Sequence, residues 1–210
     1  MKVLVVASHP DDEVLGCGGT IAKHVANGDE VSVLIMTQGR EGGEIPDAAE
    51  AANSILGATF LWLDDYPDNK MDTIPLLDVV KSVEYFIDNL KPDIVYTHHA
   101  GDLNIDHRIT HQAVMTACRP LPGCSVKTIL CFEVPSSTEW GQGFEPNWFV
   151  DITEFEFLGK KYDALDAYGS EMRDFPHPRS HRAVLNLGRL RGATVGVEMA
   201  EAFMVARRIC

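Results

Sequence analysis

The sequence predicts an α/β protein: a doubly wound, mostly parallel sheet with helices on both faces. Three observations lead there. Short apolar runs recur along the chain, segments of helical period lie between them, and polar residues capable of chemistry gather just after the runs. Lys2 to Ser8 is a continuous valine-rich run closed by His9-Pro10, the pattern of a strand buried on both faces and hence of a parallel sheet. Glu13 to Asn27 reads as the following helix, ended by Gly28. Val31 to Thr37 and Thr59 to Leu63 are the second and third strands. Leu76, Val80, Val83, Ile87 and Leu90 step by 4, 3, 4 and 3, with Pro75 at the start and Lys91-Pro92 as the stop. Ile94 to Thr97, Thr128 to Phe132 and Trp148 to Ile152 complete six strands, and Phe155, Leu158, Tyr162 and Leu165 mark a further helix. Gly39 to Pro46, Arg119 to Gly123 and Pro135 to Pro146 read as loops. No linker or repeat divides the chain, so residues 1–210 are expected to form a single domain.

Composition narrows the function. With 45% hydrophobic and 23% charged residues the chain is of ordinary globular type, and no apolar stretch is long enough for a membrane span. The start lacks a small-residue cleavage site, which predicts a cytoplasmic protein without a signal peptide. Eighteen basic against 31 acidic residues give a net charge of −13, a field that repels phosphate backbones and argues against nucleic acid as a partner. Five cysteines, Cys17, Cys118, Cys124, Cys131 and Cys210, show no zinc-finger or redox spacing and read as reduced thiols.

In open α/β sheets ligands bind beyond the carboxyl ends of strands, which points to His9–Glu13, Thr37–Glu44 and His98–His111. Directly after the first strand, Ser8-His9-Pro10-Asp11-Asp12-Glu13 crowds a histidine and three acids. A helix start accounts for one carboxylate, as a cap or at the positive helix end. A metal accounts for His9 and a nearby aspartate together. A third ligand has to come from another loop, and the stretch from His98 to His111 offers candidates. Asp106 is expected as the cap of a helix, with His107 in its first turn and His111 on the same face. If the first and fourth strands are neighbours, His107 reaches the first motif.

SHPDDEVLGCGGTIA after the first strand and DLNIDHR after a later one resemble the PIG-L/LmbE family of zinc-dependent N-acetyl deacetylases, as do the closing FPHPRSHRAV and RGATVGVEMAEAF. The resemblance implies a Rossmann-like fold, a Zn²⁺ ion held by His9, Asp12 and His107, Asp11 as general base, and a small N-acetylated amino sugar as substrate. Sites of this type also accept Fe(II). A homo-oligomer is compatible with the resemblance. The family's second motif commonly reads His-Pro-Asp-His, whereas this chain has Asn104-Ile105-Asp106-His107, retaining Asp106 and His107 but not the first histidine. Asn104 can donate a hydrogen bond to an oxyanion but cannot supply a proton to a leaving amine. Asp11 itself, or His177 in the Pro176-His177-Pro178 turn, is then the candidate acid, with His98 and His99 as rivals.

Other positions carry two readings each. Arg40, Glu41, Gly42 and Gly43 follow the second strand either as a substrate-facing loop or as a solvated turn. Gly16, Gly18 and Gly19 weaken the first helix and point to close approach of its backbone to the sheet or a ligand. Arg191, Glu198 and Glu201 form a buried ion-pair network or border the site. Trp140, Phe144 and Trp148 read as loop anchors, with a sugar-stacking platform as the alternative. GCGG lacks the third glycine of a dinucleotide fingerprint, because position 21 is Ile21. Two further functions compete with the hydrolase: a non-haem Fe(II) oxygenase using the same two-histidine, one-carboxylate set, and a sugar- or nucleotide-binding protein without turnover.

Overall fold

A computed structural model describes residues 1–39 and 45–210, apart from the side chains of residues 45–46 and 61–65. Among the described residues seven strands form one sheet: β1 (Lys2–Ala7), β2 (Glu30–Thr37), β3 (Thr59–Tyr66), β4 (Ile94–His98), β5 (Thr128–Phe132), β6 (Trp148–Asp151) and β7 (Ala200–Arg208). The helices described with them are α1 (Asp12–Ala26), α2 (Ile45–Leu56), α3 (Leu76–Leu90), α4 (Ile105–Ala117), α5 (Phe155–Ala167) and α6 (His181–Ala193). The strand order is β3-β2-β1-β4-β5-β7-β6. The first five strands pair in parallel, and β7 runs antiparallel to both β5 and β6.

The apolar run of β1 divides by strand period. Val3, Val5 and Ala7 enter a core shared with α1, α2 and α5, while Leu4 and Val6 enter a second core against α3 and α4. Both faces are covered, so alternation with polar residues is absent and the strand reads as continuous. Each such side chain contributes about 1.5–3 kcal/mol of burial.

Three elements were not anticipated. The segment closing the chain supplies β7, whose residues from Met204 onward are partly or fully exposed. α2 begins at Ile45, inside the stretch expected to be loop as far as Pro46, and α6 follows the Pro176–Pro178 turn. The loop residues Arg40, Glu41, Gly42 and Gly43 lie outside the described residues.

β1 has β2 on one side and β4 on the other, so the sheet changes winding direction between β1 and β4. The loops leaving their carboxyl ends meet across that crevice. α1 starts at its edge and lies close on the sheet: a Cβ on Gly16 would stand 2.5 Å from the buried Phe132 ring, and one on Gly19 would stand 2.8 Å from Ile152. The helix breaks at Cys17, where φ is −149° and ψ is 23°. A buried ion pair takes over the interrupted hydrogen bonds. Glu201 accepts the N–H groups of Gly19 and Thr20 at 3.0 and 2.6 Å, while Lys161 donates to the Leu15 carbonyl at 2.9 Å and to Glu201 at 2.6 Å.

Candidate active site

Three atoms converge in the crevice: Nδ1 of His9, Oδ2 of Asp12 and Nε2 of His107. Their separations are 3.2 Å between the two nitrogens, 3.3 Å from His9 to Asp12 and 3.2 Å from His107 to Asp12. A tetrahedral ion with bonds of about 2.0–2.1 Å has ligand-to-ligand edges of about 3.3–3.4 Å. The triangle therefore has the size of one face of such a tetrahedron, and all three residues line the cavity.

The other nitrogen of each ring is occupied. His9 Nε2 lies 3.0 Å from Asp106 Oδ2, and His107 Nδ1 lies 3.2 Å from Asp102 Oδ1. Carboxylates in these places orient ligand histidines and raise their basicity. Asp102 is itself held by Thr138 Oγ1 at 2.5 Å and Ser137 Oγ at 3.1 Å, and Asp106 accepts the Met71 N–H at 3.0 Å. Burial opposes charge on His9, yet Asp106 and Asp12 outweigh it and push the ring up to about 10. At His107 burial again opposes charge, and Asp12 and Asp102 push it up to about 8. Asp12, which burial alone would raise, is held well below the usual carboxylate range by His107 and His9. Two imidazole nitrogens and a carboxylate oxygen gathered within 4.8 Å of one another are a donor set that suits a divalent cation once the rings give up their protons.

Asp11 stands beside this cluster in a different environment. Burial and the neighbouring Asp12 charge push its carboxyl well above the usual range, against the opposing Arg179. Arg179 Nη1 donates to Asp11 Oδ2 at 3.0 Å and lies 3.4 Å from Glu171 Oε2. The Asp11 backbone has φ 99°, a left-handed conformation that costs a residue other than glycine about 1–3 kcal/mol.

These groups line a cavity of about 400 Å³ whose wall is mainly polar, with Gly39, Asp68, Asn69, Asn104, Ser137 and Arg173 completing much of it. Asn104 caps α4: its Oδ1 accepts the Asp106 N–H at 2.8 Å, which turns Nδ2 toward Asn69 Oδ1 at 3.2 Å. The cap expected at Asp106 is thus Asn104, because Asp106 sits inside the helix and spends its carboxylate on His9 and Met71.

The remaining candidates fall elsewhere. His177 is not among the cavity-lining residues, and its Nδ1 accepts the Arg179 N–H at 3.1 Å, tightening the turn that presents Arg179. Buried His98 stacks on His107 at 3.9 Å, accepts the Ser8 N–H and is held neutral by burial and the His107 charge. His99 lies 2.7 Å from the Gln142 carbonyl, and His111 lies 2.9 Å from the His98 carbonyl. Arg191 pairs with Glu133 at 2.6 and 2.7 Å, and Glu198 is exposed before β7. Phe144 packs against His99 and under Arg191, whereas Trp148 packs under Arg208, so the three aromatics do not share a face of the cavity. The five cysteines are free. Among the described residues no helix is long and apolar enough to cross a membrane. Sequence reasoning missed Arg179, Asp102, Ser137 and Glu171. Arg179 stands two residues from His177 in FPHPRSHRAV and Asp102 opens DLNIDHR, yet neither was singled out; Ser137 and Glu171 carry no spacing that marks them.

A His-Asp-His cluster with a second carboxylate alongside, set at the winding change of a parallel sheet, defines a candidate metal centre with a group placed for proton transfer. The family profile described as GlcNAc-PI de-N-acetylase (PIG-L) matches residues 4–118, and the chain belongs to that family. It is 33% identical over 177 residues to the uncharacterized deacetylase YaiS of Escherichia coli (strain K12), covering 80% of this chain and 90% of that one. Solved structures share the fold. N,N'-diacetylchitobiose deacetylase from Pyrococcus horikoshii aligns over 98% of this chain and 84% of its own with a TM-score of 0.80 at 24% identity. GalB, the 4-carboxy-2-hydroxymuconate hydratase of Pseudomonas putida KT2440, aligns over 100% and 97% with a TM-score of 0.78 at 23% identity. The same fold thus carries more than one reaction, and the reaction has to be argued from the site.

Proposed function

We propose that the protein is a zinc-dependent de-N-acetylase that releases acetate from an N-acetylated amino sugar or its conjugate, with Asp11 as general base. The observation that carries this reading is the pairing of two adjacent aspartates in opposite environments. Asp12 is held ionised among histidines, and Asp11 is raised by burial beside it. One carboxylate suits cation binding and the other, raised above the usual range, suits taking up a proton.

His9, Asp12 and His107 are the residues that would hold the zinc ion. When bound, the ion supplies Lewis acidity toward the acyl oxygen and acidifies water. Asp11 removes the proton of the attacking water, and Arg179 fixes the carboxylate through Oδ2. Asn104 presents Nδ2 to the cavity, where its free N–H can donate to the developing oxyanion, a contribution of about 3 kcal/mol for a well-placed donor. With His177 outside the cavity wall, Asp11 also returns the proton to the leaving amine. Asp106 and Asp102 keep the two imidazoles oriented. The polar wall favours a hydroxyl-rich ligand, and its volume fits one or two sugar rings. A cytoplasmic location and an oligomeric form belong to the same reading.

Acetate release from a panel of N-acetylglucosamine compounds, with chelation and metal add-back, tests it. Release that stops on chelation and returns with zinc supports the proposal. Turnover of none of the compounds by zinc-loaded protein, or oxygen uptake with Fe(II) in place of hydrolysis, would contradict it.

A further inference from the structure

Glu13 takes no part in the reaction above, yet it is completely buried and, among the described residues, three donors hold its carboxylate. The Tyr168 hydroxyl donates to Oε1 at 2.7 Å and Asn53 Nδ2 donates to the same oxygen at 3.1 Å. The backbone N–H of Asp11 donates to Oε2 at 3.2 Å. Asn53 lies on α2 and Tyr168 just after α5, and both are buried. Helix formation alone does not call for this arrangement, since an acid facing solvent serves the first turn of α1 equally well.

The arrangement bears on Asp11. At φ 99° and ψ −27° its backbone occupies a region that a residue with a Cβ leaves unless it is held. Both of its peptide groups are held. The carbonyl accepts the N–H groups of Val14 and Leu15 at 3.1 and 2.8 Å, and Glu13 takes the N–H. Glu13 is in turn fixed by two elements that do not otherwise reach the cavity, neither Asn53 nor Tyr168 being in its wall. We propose that Glu13 is a positioning residue: braced by Asn53 and Tyr168, its carboxylate holds the backbone of Asp11 in the left-handed conformation that aims the Asp11 side chain at the cavity and at Arg179. This rests on the reading of Asp11 as the general base and adds what keeps that base in place.

An amide in this position is nearly the same shape but cannot do the same work. Two donors keep its oxygen on the Tyr168 and Asn53 side, which leaves its NH₂ facing the Asp11 N–H. Glu13→Gln therefore releases Asp11 without emptying the core. Tyr168→Phe removes one brace and leaves the other.

The test compares zinc-loaded wild type, Glu13→Gln, Tyr168→Phe, Asp11→Asn and the Asp11→Asn/Glu13→Gln double variant. It measures kcat and KM for acetate release from an N-acetylglucosamine compound, metal per chain, and the crystal structure of Glu13→Gln. The expected result for Glu13→Gln is a kcat lower by about 10- to 100-fold, with KM within about twofold of wild type, undiminished metal content and a negative φ at residue 11. Tyr168→Phe should lower kcat by about threefold. The double variant should be no slower than Asp11→Asn alone, because Glu13 acts through Asp11. A Glu13→Gln enzyme with wild-type kcat and residue 11 still left-handed overturns the proposal, as does a Glu13→Gln penalty that persists in full on the Asp11→Asn background. Full activity of Asp11→Asn would remove the base assignment instead, and the Glu13→Gln crystal structure would still decide whether Glu13 holds that backbone.

Discussion

The two halves of α1 both bury charge, to different ends. Before the break at Cys17, Asp12 Oδ2 faces His9 and His107 on a cavity wall, and three potential ligand atoms converge. After the break, Glu201 spends both oxygens on Gly19, Thr20 and Lys161, and Lys161 spends its remaining reach on Leu15. The second network is closed: its charges satisfy each other and two frayed helix ends. The first lines the cavity, where its three converging ligand atoms leave room for a cation. Burial of charge is thus a structural device where every partner is present and a binding device where one is missing.

That contrast breaks most directly at Asp12. Asp12→Asn should leave a folded protein whose zinc content, measured by mass spectrometry of the metal, falls to a small fraction of one per chain and whose acetate release falls to background. Retention of metal would show that the open network is not the binding site. On the closed side, Lys161→Met leaves Glu201 buried without its cation and should cost about 3–5 kcal/mol in urea unfolding. A loss below about 1 kcal/mol would mean that the helix break needs no ion pair. Gly16→Ala sharpens the same point from packing, because its new Cβ meets Phe132 at 2.5 Å and should cost about 1–3 kcal/mol.

A further effect is one of pH. In the metal-free protein His9 and His107, pushed up to about 10 and about 8, are protonated at neutrality, and a cation needs both nitrogens free. Zinc affinity should therefore rise with pH from 6 to 8, by about tenfold per unit for each proton displaced, and calorimetry in two buffers should register about one to two protons released per ion. The sign for stability is opposite. Raised histidines stabilise the metal-free fold fully below their unfolded value of about 6.5, and that contribution is lost as pH climbs through about 8 and then about 10. An affinity independent of pH would contradict the protonated resting cluster.

Much of this was legible in the sequence because the strands near the site are buried on both faces. Lys2–Ser8 and Thr128–Phe132 have no solvent side to dilute their apolar runs, and the neighbouring places of β1 and β4 follow from the sheet's winding change. β7 escaped because its second half is partly exposed, and α2 and α6 because alanines and glycines blur their periods. Asp106 was misread as a cap since Asn104 and Asp106 are equally good cap residues, and only the fold shows that Asp106 is spent on His9. Arg179 meets Asp11 across 168 positions of sequence, a distance over which spacing carries no information.

The account turns on the different jobs of two adjacent aspartates, and Asp11→Asn separates them. Acetate release by this variant should be compared with wild type on protein whose zinc content is determined in the same preparation. The prediction is about one zinc per chain in both, with kcat lower by about 10²- to 10⁴-fold in the variant. Undiminished release at full zinc content would contradict the assignment of the base, and loss of the zinc itself would contradict the division of labour between Asp11 and Asp12.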